Sequence, residues 1–393
     1  MLIPDLSPTF ERLDAPGTGR AAWQLTTGDA FCYPLYYFVP STFDRYLVHH
    51  RADAAGVQLW RLDLGTGESV QLTHATGDDT HWRPWCVPAG PGVLDHRSAI
   101  DPVRGEVIYF DGAQARAVGI RDGADRPLFD LPAGRWPISQ NCVTPDGAWF
   151  VYVHHDRELY DQVHPPNGGP SQRHLSRGTE LAAFHLETGE HRLLVRADAP
   201  FHHVHPLGPD RLVFSSLATE RSILVTDLRG GGYRHLRTQD DAGMTCHYCA
   251  TDAGIAYEVR GDRRDHGGLI DPDSGARVEF ALPADGDTHV GFDPAGALWL
   301  YESLGSDREH RRLRALLRYR GPDDTDWLDL TGDWPVYGGG QKSHHHARLL
   351  PGRRHLLVTA GDPHTRTNHV FALDVADLAA HRSVTLAGPG TRR

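Results

Sequence analysis

The sequence contains almost no lysine, few cysteines and no long hydrophobic segment. Lys342 is the only lysine among 40 basic residues, so arginine carries nearly all of the positive charge. Five cysteines are an odd number in a chain of 393 residues, and a disulfide framework is therefore not expected. No stretch approaches the roughly 18 consecutive apolar residues of a transmembrane helix, so no membrane partner is predicted.

Several functional classes lack their usual marks in this sequence. Residues 1–20 have neither a basic segment nor an apolar one, so no secretory signal is recognised and the cytoplasm is the predicted compartment. The net charge of −11 argues against non-specific binding to nucleic acids. No G-x-S-x-G motif is present, which argues against a serine peptidase. The oligomeric state is not indicated by the sequence.

A hairpin motif recurs along the whole chain. Its first form is an apolar strand, a turn rich in Asp and Gly and a second apolar strand, and its second form is a shorter hairpin with a His-rich start and a Pro-Gly turn. The first form occurs at 59–73, 181–195, 222–237, 267–282 and 315–330. The second form occurs at 141–155, 202–216, 287–303 and 344–360.

The two forms together make a four-stranded unit that recurs roughly every 45 to 55 residues, which is typical of a β-propeller. The length then predicts an all-β fold of seven or eight blades, with seven favoured, as one domain over residues 1–393. The only segment with a helix-like pattern, 306–317, could equally lead into a strand. A pair of β-sandwiches is the alternative fold. The polar segment 156–179 is too long for a blade turn and is interpreted as a flap over one mouth.

Histidines, of which the chain has 26, recur at the start of the predicted innermost strands. The innermost strands of a propeller line its channel, so residues at their starts meet at one mouth. Imidazoles that are far apart in sequence would thereby become neighbours, as a metal site requires. The histidines at these positions are His202, His203, His205, His247, His289, His344, His345 and His346.

The densest group lies in the segment QKSHHH at 341–346. On an extended strand alternate residues share a face, so His344 and His346 are expected to point one way and His345 the other. His289 could add a third imidazole, and the glutamine of the segment an amide oxygen. Such a set suits Mn²⁺, and also Zn²⁺, Fe²⁺ or Ni²⁺. The alternative is that these histidines cap strands and bind channel water.

At these residues the chain resembles the oligogalacturonate lyases, a polysaccharide-lyase family with a seven-bladed propeller and a manganese-dependent site. The segment from YYFVPSTFDRYLVHH to QLTHATGD, at 36–78, is similar to the first blade of that family, and a weaker similarity continues through the later blades. In the family three histidines and one glutamine hold the metal, the last three as Q-x-x-H-x-H. Gln341, His344 and His346 match that pattern, and His289 matches the isolated histidine. The resemblance therefore implies a manganese site here.

The resemblance also implies catalytic residues. His247, in the segment MTCHYC, matches the position of the family's catalytic histidine, although a buried channel histidine is the alternative. Arg221 is the best match to a catalytic arginine. The segment 215–218 departs from the family's Cys-His-Glu-Gly type segment, and Thr288 and Val290 flank His289 where an aromatic residue is usual. These departures concern the substrate pocket, so the resemblance does not fix the sugar.

The implied reaction is β-elimination at a uronic acid in an acidic oligosaccharide. A divalent cation neutralises the carboxylate next to C5, a base removes the C5 proton, and the oxygen on C4 leaves. His247 and Arg221 are both candidates for the base, and the sequence does not choose between them. His203 and Lys342 are candidate substrate-binding residues, although Lys342 could also bind nothing.

Two other functions fit a propeller. A non-catalytic propeller would bind a glycan or a protein and would need no convergence of histidines. A hydrolase propeller would need a Glu/Asp pair, and no carboxylates stand at the predicted strand starts to match the histidines. The lyase is therefore the favoured hypothesis.

Overall fold

The computed structural model describes residues 5–77, 91–94, 96–158, 178–198, 201–216, 222–237, 244–260, 265–283, 289–292, 298–307 and 309–381. These residues form seven antiparallel sheets, each with at least four strands, arranged as the blades of one β-propeller. The predicted fold class and the predicted number of blades are confirmed.

The first three blades follow one another along the chain. Blade 1 consists of β3 (Phe31–Pro34), β4 (Thr42–Phe43), β5 (Tyr46–Asp53), β6 (Gly56–Asp63) and β7 (Ser69–Gln71). Blade 2 consists of β8 (Ala99–Asp101), β9 (Glu106–Asp111), β10 (Gln114–Gly119) and β11 (Asp125–Asp130). Blade 3 consists of β12 (Arg135–Pro137), β13 (Cys142–Val143), β14 (Trp149–Asp156), β15 (Thr179–His185) and β16 (His191–Ala197).

The next three blades repeat the same order of strands from the channel outward. Blade 4 consists of β17 (Phe201–Pro206), β18 (Arg211–Ser216), β19 (Ser222–Asp227) and β20 (Arg234–Arg237). Blade 5 consists of β21 (Met244–Thr251), β22 (Gly254–Arg260), β23 (His266–Ile270) and β24 (Arg277–Ala281). Blade 6 consists of β25 (His289–Phe292), β26 (Trp299–Leu304), β27 (His310–Gly321), β28 (Asp324–Asp329) and β29 (Trp334–Pro335).

Blade 7 joins the two ends of the chain and closes the ring. Its inner strands come from the C-terminal part of the chain and its outer strands from the N-terminal part. From the channel outward the strands are β30 (Arg348–Leu349), β31 (His355–Asp362), β32 (Thr367–Asp374), β2 (Ala21–Gln24) and β1 (Glu11–Asp14). In the closing ladder Ala22 lies opposite Leu373, and both side chains are fully buried.

The repeated Asp-Gly turns predicted from sequence form the outer hairpins. In the turn between β6 and β7, one carboxylate oxygen of Asp63 accepts the N–H groups of Gly65 and Thr66. Asp271 makes the same bonds to Asp273 and Ser274 between β23 and β24. The glycines that close these turns have positive φ angles, which only glycine adopts without strain. The motif therefore recurs because each outer hairpin needs the same turn chemistry.

The sequence predictions about individual segments have different outcomes. Residues 310–317 of the segment with a helix-like pattern lie in β27. Two short 3-10 helices, Gly340–Ser343 and Ala376–Leu378, lie among the described residues. Most of the predicted flap, 159–177, lies outside the described residues, so the flap stays a prediction. The single domain over 1–393 also stays a prediction. None of the described helices has the length and apolarity that crossing a membrane requires.

The core consists of side chains packed between neighbouring blades. The interface of blade 7 with blade 1 contains a fully apolar cluster. Neighbouring blades cover both faces of an inner strand, so its side chains are buried on both sides. The strand β14 is buried along nearly its whole length. Cys32, Cys142 and Cys249 are free and buried.

The ring closure can be tested with a substitution in the closing ladder. Leu373→Ala should lower the free energy of unfolding by about 2–5 kcal/mol, because it leaves a cavity where blade 7 is closed by β2. Leu193→Ala is the matched control, since Leu193 is 47% exposed on an outer strand and its loss should change little. Urea denaturation measures both values. Equal effects of the two substitutions would contradict the closure.

Candidate active site

Aromatic and imidazole rings from four blades meet at one mouth of the channel. Tyr36 and Tyr37, which follow β3 of blade 1, lie at the centre of the group. The Tyr36 ring is stacked on His203 of blade 4 at 5.5 Å and lies 5.0 Å from His346 of blade 7. The Tyr37 ring lies 6.1 Å from His247 of blade 5 and 6.0 Å from His346. The predicted convergence of distant histidines is thus observed for these three.

The inner strands of blades 4 and 5 are interrupted at their histidines. The β17–β18 ladder shifts register between His202 and His205, and the β21–β22 ladder shifts between Thr245 and Tyr248. His203 lies inside the first irregularity and has a φ of 54°. Such bulges turn a side chain out of the regular alternation and are frequent next to functional sites. The rings of His203 and His247 are 5.8 Å apart as a result.

The segment His344–His346 does not form the extended strand that was predicted, so that part of the sequence interpretation is wrong. It lies between the 3-10 helix Gly340–Ser343 and β30, and His346 has a φ of 45°. The rings of His344 and His346 are nonetheless nearly parallel, with centroids 5.7 Å apart. His345 points elsewhere, because its Nδ1 donates to the Thr359 carbonyl oxygen at 2.7 Å. A turn in which His346 has a left-handed backbone conformation therefore places the rings of His344 and His346 side by side, as was expected of a strand.

A buried carboxylate of blade 6 holds this pair of histidines. Oε1 of Glu302 accepts Nδ1–H of His344 at 3.0 Å, and Oε2 accepts the main-chain N–H of His346 at 3.2 Å. Arg311 Nε lies 3.5 Å from Oε1. Burial alone would raise the pKa of the Glu302 carboxyl, but His344, His345 and Arg311 together lower this pKa below its usual range. Glu302 is therefore ionised.

A second buried carboxylate contacts the histidine of blade 5. Nδ1 of His247 lies 3.1 Å from Oε2 of Glu258, a residue of β22 that is fully buried. The His247 side chain is itself 12% exposed, so the pair lies at the boundary between the interior and the mouth. An imidazole backed by a carboxylate is a common arrangement for acid–base chemistry.

The imidazoles of His203 and His346 are neutral. Burial, reinforced by His247, holds the pKa of His203 well below its usual range, and its Nε2 is hydrogen-bonded to the Tyr36 hydroxyl at 3.1 Å. Burial, reinforced by His344 and His96, does the same to the pKa of His346. Neutral imidazoles can accept a proton or bind a metal ion, which protonated ones cannot.

Other residues predicted from sequence are described less fully. His289 is described by its backbone, which pairs with Glu302 across the β25–β26 ladder. Gln341 is described by its backbone in the 3-10 helix. Arg221 lies outside the described residues. Nζ of Lys342 lies 4.6 Å above the centroid of the Phe31 ring. The roles assigned to these residues from sequence stay predictions.

Several residues of the mouth were not predicted from sequence. Glu258 and Glu302 each follow a tyrosine in the second strand of their blade. This repeated Tyr-Glu pair is the sequence signal from which the two buried carboxylates could have been predicted. Neither glutamate stands at the start of its strand, where the predicted histidines stand. His96 was also not predicted, although its ring lies 5.7 Å from that of His346 and its φ is 57°.

Two of the four predicted metal ligands can be tested for fit. Within the described residues no group of three or more His, Cys, Asp or Glu side chains is spaced to hold a metal ion. The side chains of His289 and Gln341 lie outside the described part of the structure. A carboxylate that binds the far nitrogen of an imidazole is typical of metal-ligating histidine, and Glu302 does this for His344. His344 therefore fits a nitrogen-binding divalent cation, and the neutral ring of His346 lies beside it with centroids 5.7 Å apart.

The fold is shared with solved structures of oligogalacturonate lyases. One from Vibrio parahaemolyticus has a TM-score of 0.74 and 15% sequence identity, covering 95% of this chain and 99% of that one. An oligogalacturonate lyase in complex with manganese has a TM-score of 0.76 and 18% identity, covering 96% and 100%. A chain of the mitotic checkpoint complex has a TM-score of 0.54 and 12% identity, covering 94% and 96%.

The sequence itself gives no comparable match. No protein-family model and no curated protein matches it significantly. Identities of this order establish the fold alone, and propellers with this fold serve other functions as well. The resemblance drawn from the sequence is nevertheless confirmed in the fold, over almost the full length of the chain and of both lyase structures.

The role of Glu302 can be tested through metal binding. Glu302→Ala should weaken the binding of Mn²⁺ by about 10- to 100-fold, because His344 loses the carboxylate that orients it. Titration of the metal-free protein, followed by calorimetry, gives the dissociation constants. Glu309→Ala is the matched control, since that glutamate is 59% exposed on the same blade. Unchanged affinity in Glu302→Ala would contradict the role.

Proposed function

We propose that this chain is a metal-dependent lyase that cleaves uronic-acid-containing oligosaccharides by β-elimination and leaves an unsaturated uronate. The observation that carries the proposal is the arrangement at the mouth. The ring of His247, which contacts Glu258, and the ring of His346, which is paired with the Glu302-bound His344, lie 6.1 and 6.0 Å from the ring of Tyr37. The oligogalacturonate lyase fold supports the same activity.

The reaction needs two groups with different tasks. The C5 proton of a uronate is very weakly acidic, because removing it places negative charge next to a carboxylate that is already charged. A bound divalent cation would supply Lewis-acid stabilisation of the charge that develops on that carboxylate. A neutral base must stand near enough to take the proton. The two oriented imidazole groups correspond to these two tasks.

We assign metal binding to His344, His346, His289 and Gln341. His346 offers a neutral nitrogen donor, and Glu302 binds Nδ1 of His344. The backbone of His289 is the register partner of Glu302, which supports its inclusion. Nitrogen donors with one amide oxygen suit Mn²⁺. The oligogalacturonate lyase that was solved in complex with manganese supports this choice of metal.

We assign the base to His247. Its Nδ1 is engaged by Glu258, which leaves Nε2 to take the C5 proton. As the C–H bond breaks, its electron pair forms the C4=C5 double bond, and the C4–O bond breaks with it. His203, stacked on Tyr36 beside His247, would contact the sugar. Arg221 would bind the uronate carboxylate.

Local positive charge must attract the substrate, since the whole chain carries a net charge of −11. An acidic oligosaccharide would be repelled by this average field at low ionic strength. The bound cation and Lys342, the one lysine of the chain, would supply the attraction at the mouth. Galacturonate oligomers are the substrate class to test first, with glucuronate oligomers as the second.

Ultraviolet absorbance tests the proposed reaction. The manganese-loaded protein, incubated with short galacturonate or glucuronate oligomers, should produce the absorbance of an unsaturated uronate. Removal of the metal by a chelator should abolish the signal, and added Mn²⁺ should restore it, because the carboxylate charge is otherwise not neutralised. Formation of saturated sugars would point to a hydrolase. Binding without any product would favour the non-catalytic propeller.

Two substitutions should separate the base from the metal ligands. His247→Ala should retain manganese and lose about 100- to 10,000-fold in kcat, because only the proton acceptor is removed. His344→Ala should lose the metal itself. Metal content by elemental analysis and kcat by absorbance distinguish the two results. Full activity in His247→Ala would show that the base is another residue.

A further inference from the structure

The contact between His247 and Glu258 is built by an irregularity of the blade 5 sheet. Tyr248 lies opposite Tyr257, whereas Thr245 lies opposite Val259. Two residues of β21, Cys246 and His247, therefore face the single residue Glu258 of β22. A bulge of this kind redirects side chains of the bulged strand. The bulge thereby brings Nδ1 of His247 to 3.1 Å from Oε2 of Glu258. A regular ladder would not guarantee this contact.

The contact with Glu258 bears on which nitrogen of His247 carries the proton. An ionised Glu258 would only accept hydrogen bonds, so Nδ1 of His247 would donate to it. Nε2 is then the nitrogen with the lone pair, which a base requires. The full burial of Glu258 strengthens this preference, because solvent does not screen the interaction.

We propose that Glu258 is the positioning residue of the base, and this rests on the function proposed above. It holds His247 as the Nδ1–H tautomer and stabilises the imidazolium that forms when Nε2 takes the C5 proton. Glu258 keeps its own charge throughout the step. The electron pair of the C5–H bond becomes the C4=C5 bond, the C4–O bond breaks, and the leaving oxygen takes a proton from water.

The second glutamate provides a comparison inside the same molecule. Glu302 also follows a tyrosine on a second strand, and it also binds Nδ1 of an imidazole. Its imidazole belongs to the pair assigned to the metal, whereas that of Glu258 does not. Loss of Glu302 should therefore lower metal content, and loss of Glu258 should leave metal content unchanged.

The test substitution is Glu258→Gln, in the full-length, manganese-loaded protein. The amide keeps the size of the side chain but can donate to Nδ1, which would move the proton of His247 to Nε2. We expect kcat to fall about 100- to 10,000-fold, as for a triad whose carboxylate is replaced by an amide. KM and manganese content should stay within about twofold of wild type. Glu258→Asp, which keeps the charge, should recover part of the activity.

A second readout does not depend on activity. Nitrogen-15 NMR of the histidine side chains reports the tautomer directly, and the His247 signals are identified by their absence from His247→Gln. Wild type should show the Nδ1–H tautomer, and Glu258→Gln should lose it. An Nε2–H tautomer in wild type overturns the proposal even if the variant fails to fold.

The two levels of failure are distinguishable. If wild type produces no unsaturated uronate, the proposed function fails, while the tautomer measurement still tests the positioning by Glu258. If wild type is active and Glu258→Gln keeps kcat within about threefold, the positioning role is wrong and the function stands. A fall in manganese content in Glu258→Gln would also contradict it, since it would assign Glu258 to the metal.

Discussion

The closure of the ring is the constraint on which the site depends. β2, near the start of the chain, pairs with β32, near its end, and this pairing places blade 1 beside blade 7. The tyrosines that follow β3 of blade 1 can then contact His346 of blade 7. The same tyrosines contact histidines of blades 4 and 5 across the channel. An open array of the same blades would separate these residues.

Two buried glutamates give the mouth its chemical order. A carboxylate is costly to bury, and it persists where hydrogen bonds and nearby positive groups compensate its charge. Glu302 has these partners in His344, His346 and Arg311. Glu258 has His247. Because burying a carboxylate lowers the stability of the fold, the positions of Glu258 and Glu302 are better explained by the orientation of their imidazole partners.

The sequence predicted the fold well because its signals are local. Each outer hairpin needs an Asp-Gly turn, so the turn recurs and reports the repeat directly. The meeting of His203, His247 and His346 followed from their equivalent places in the blades. These predictions needed only the rule that a propeller returns every inner strand to one axis.

The parts that the sequence did not predict depend on register and on backbone conformation. Glu258 reaches His247 through a bulge, and a one-residue shift in a ladder leaves no mark on an isolated sequence. The left-handed conformations of His96, His203 and His346 are likewise imposed by the surrounding fold, since such residues rarely adopt them alone. The strand expected at His344–His346 was wrong for this reason.

Anomalous diffraction at the manganese absorption edge tests the central claim most directly. Crystals of the full-length protein grown with Mn²⁺ should show one strong anomalous peak, bonded to the imidazoles of His344 and His346. Absence of a peak at saturating Mn²⁺, or a peak bonded to other residues, would contradict the claim that the propeller gathers these histidines into a metal site.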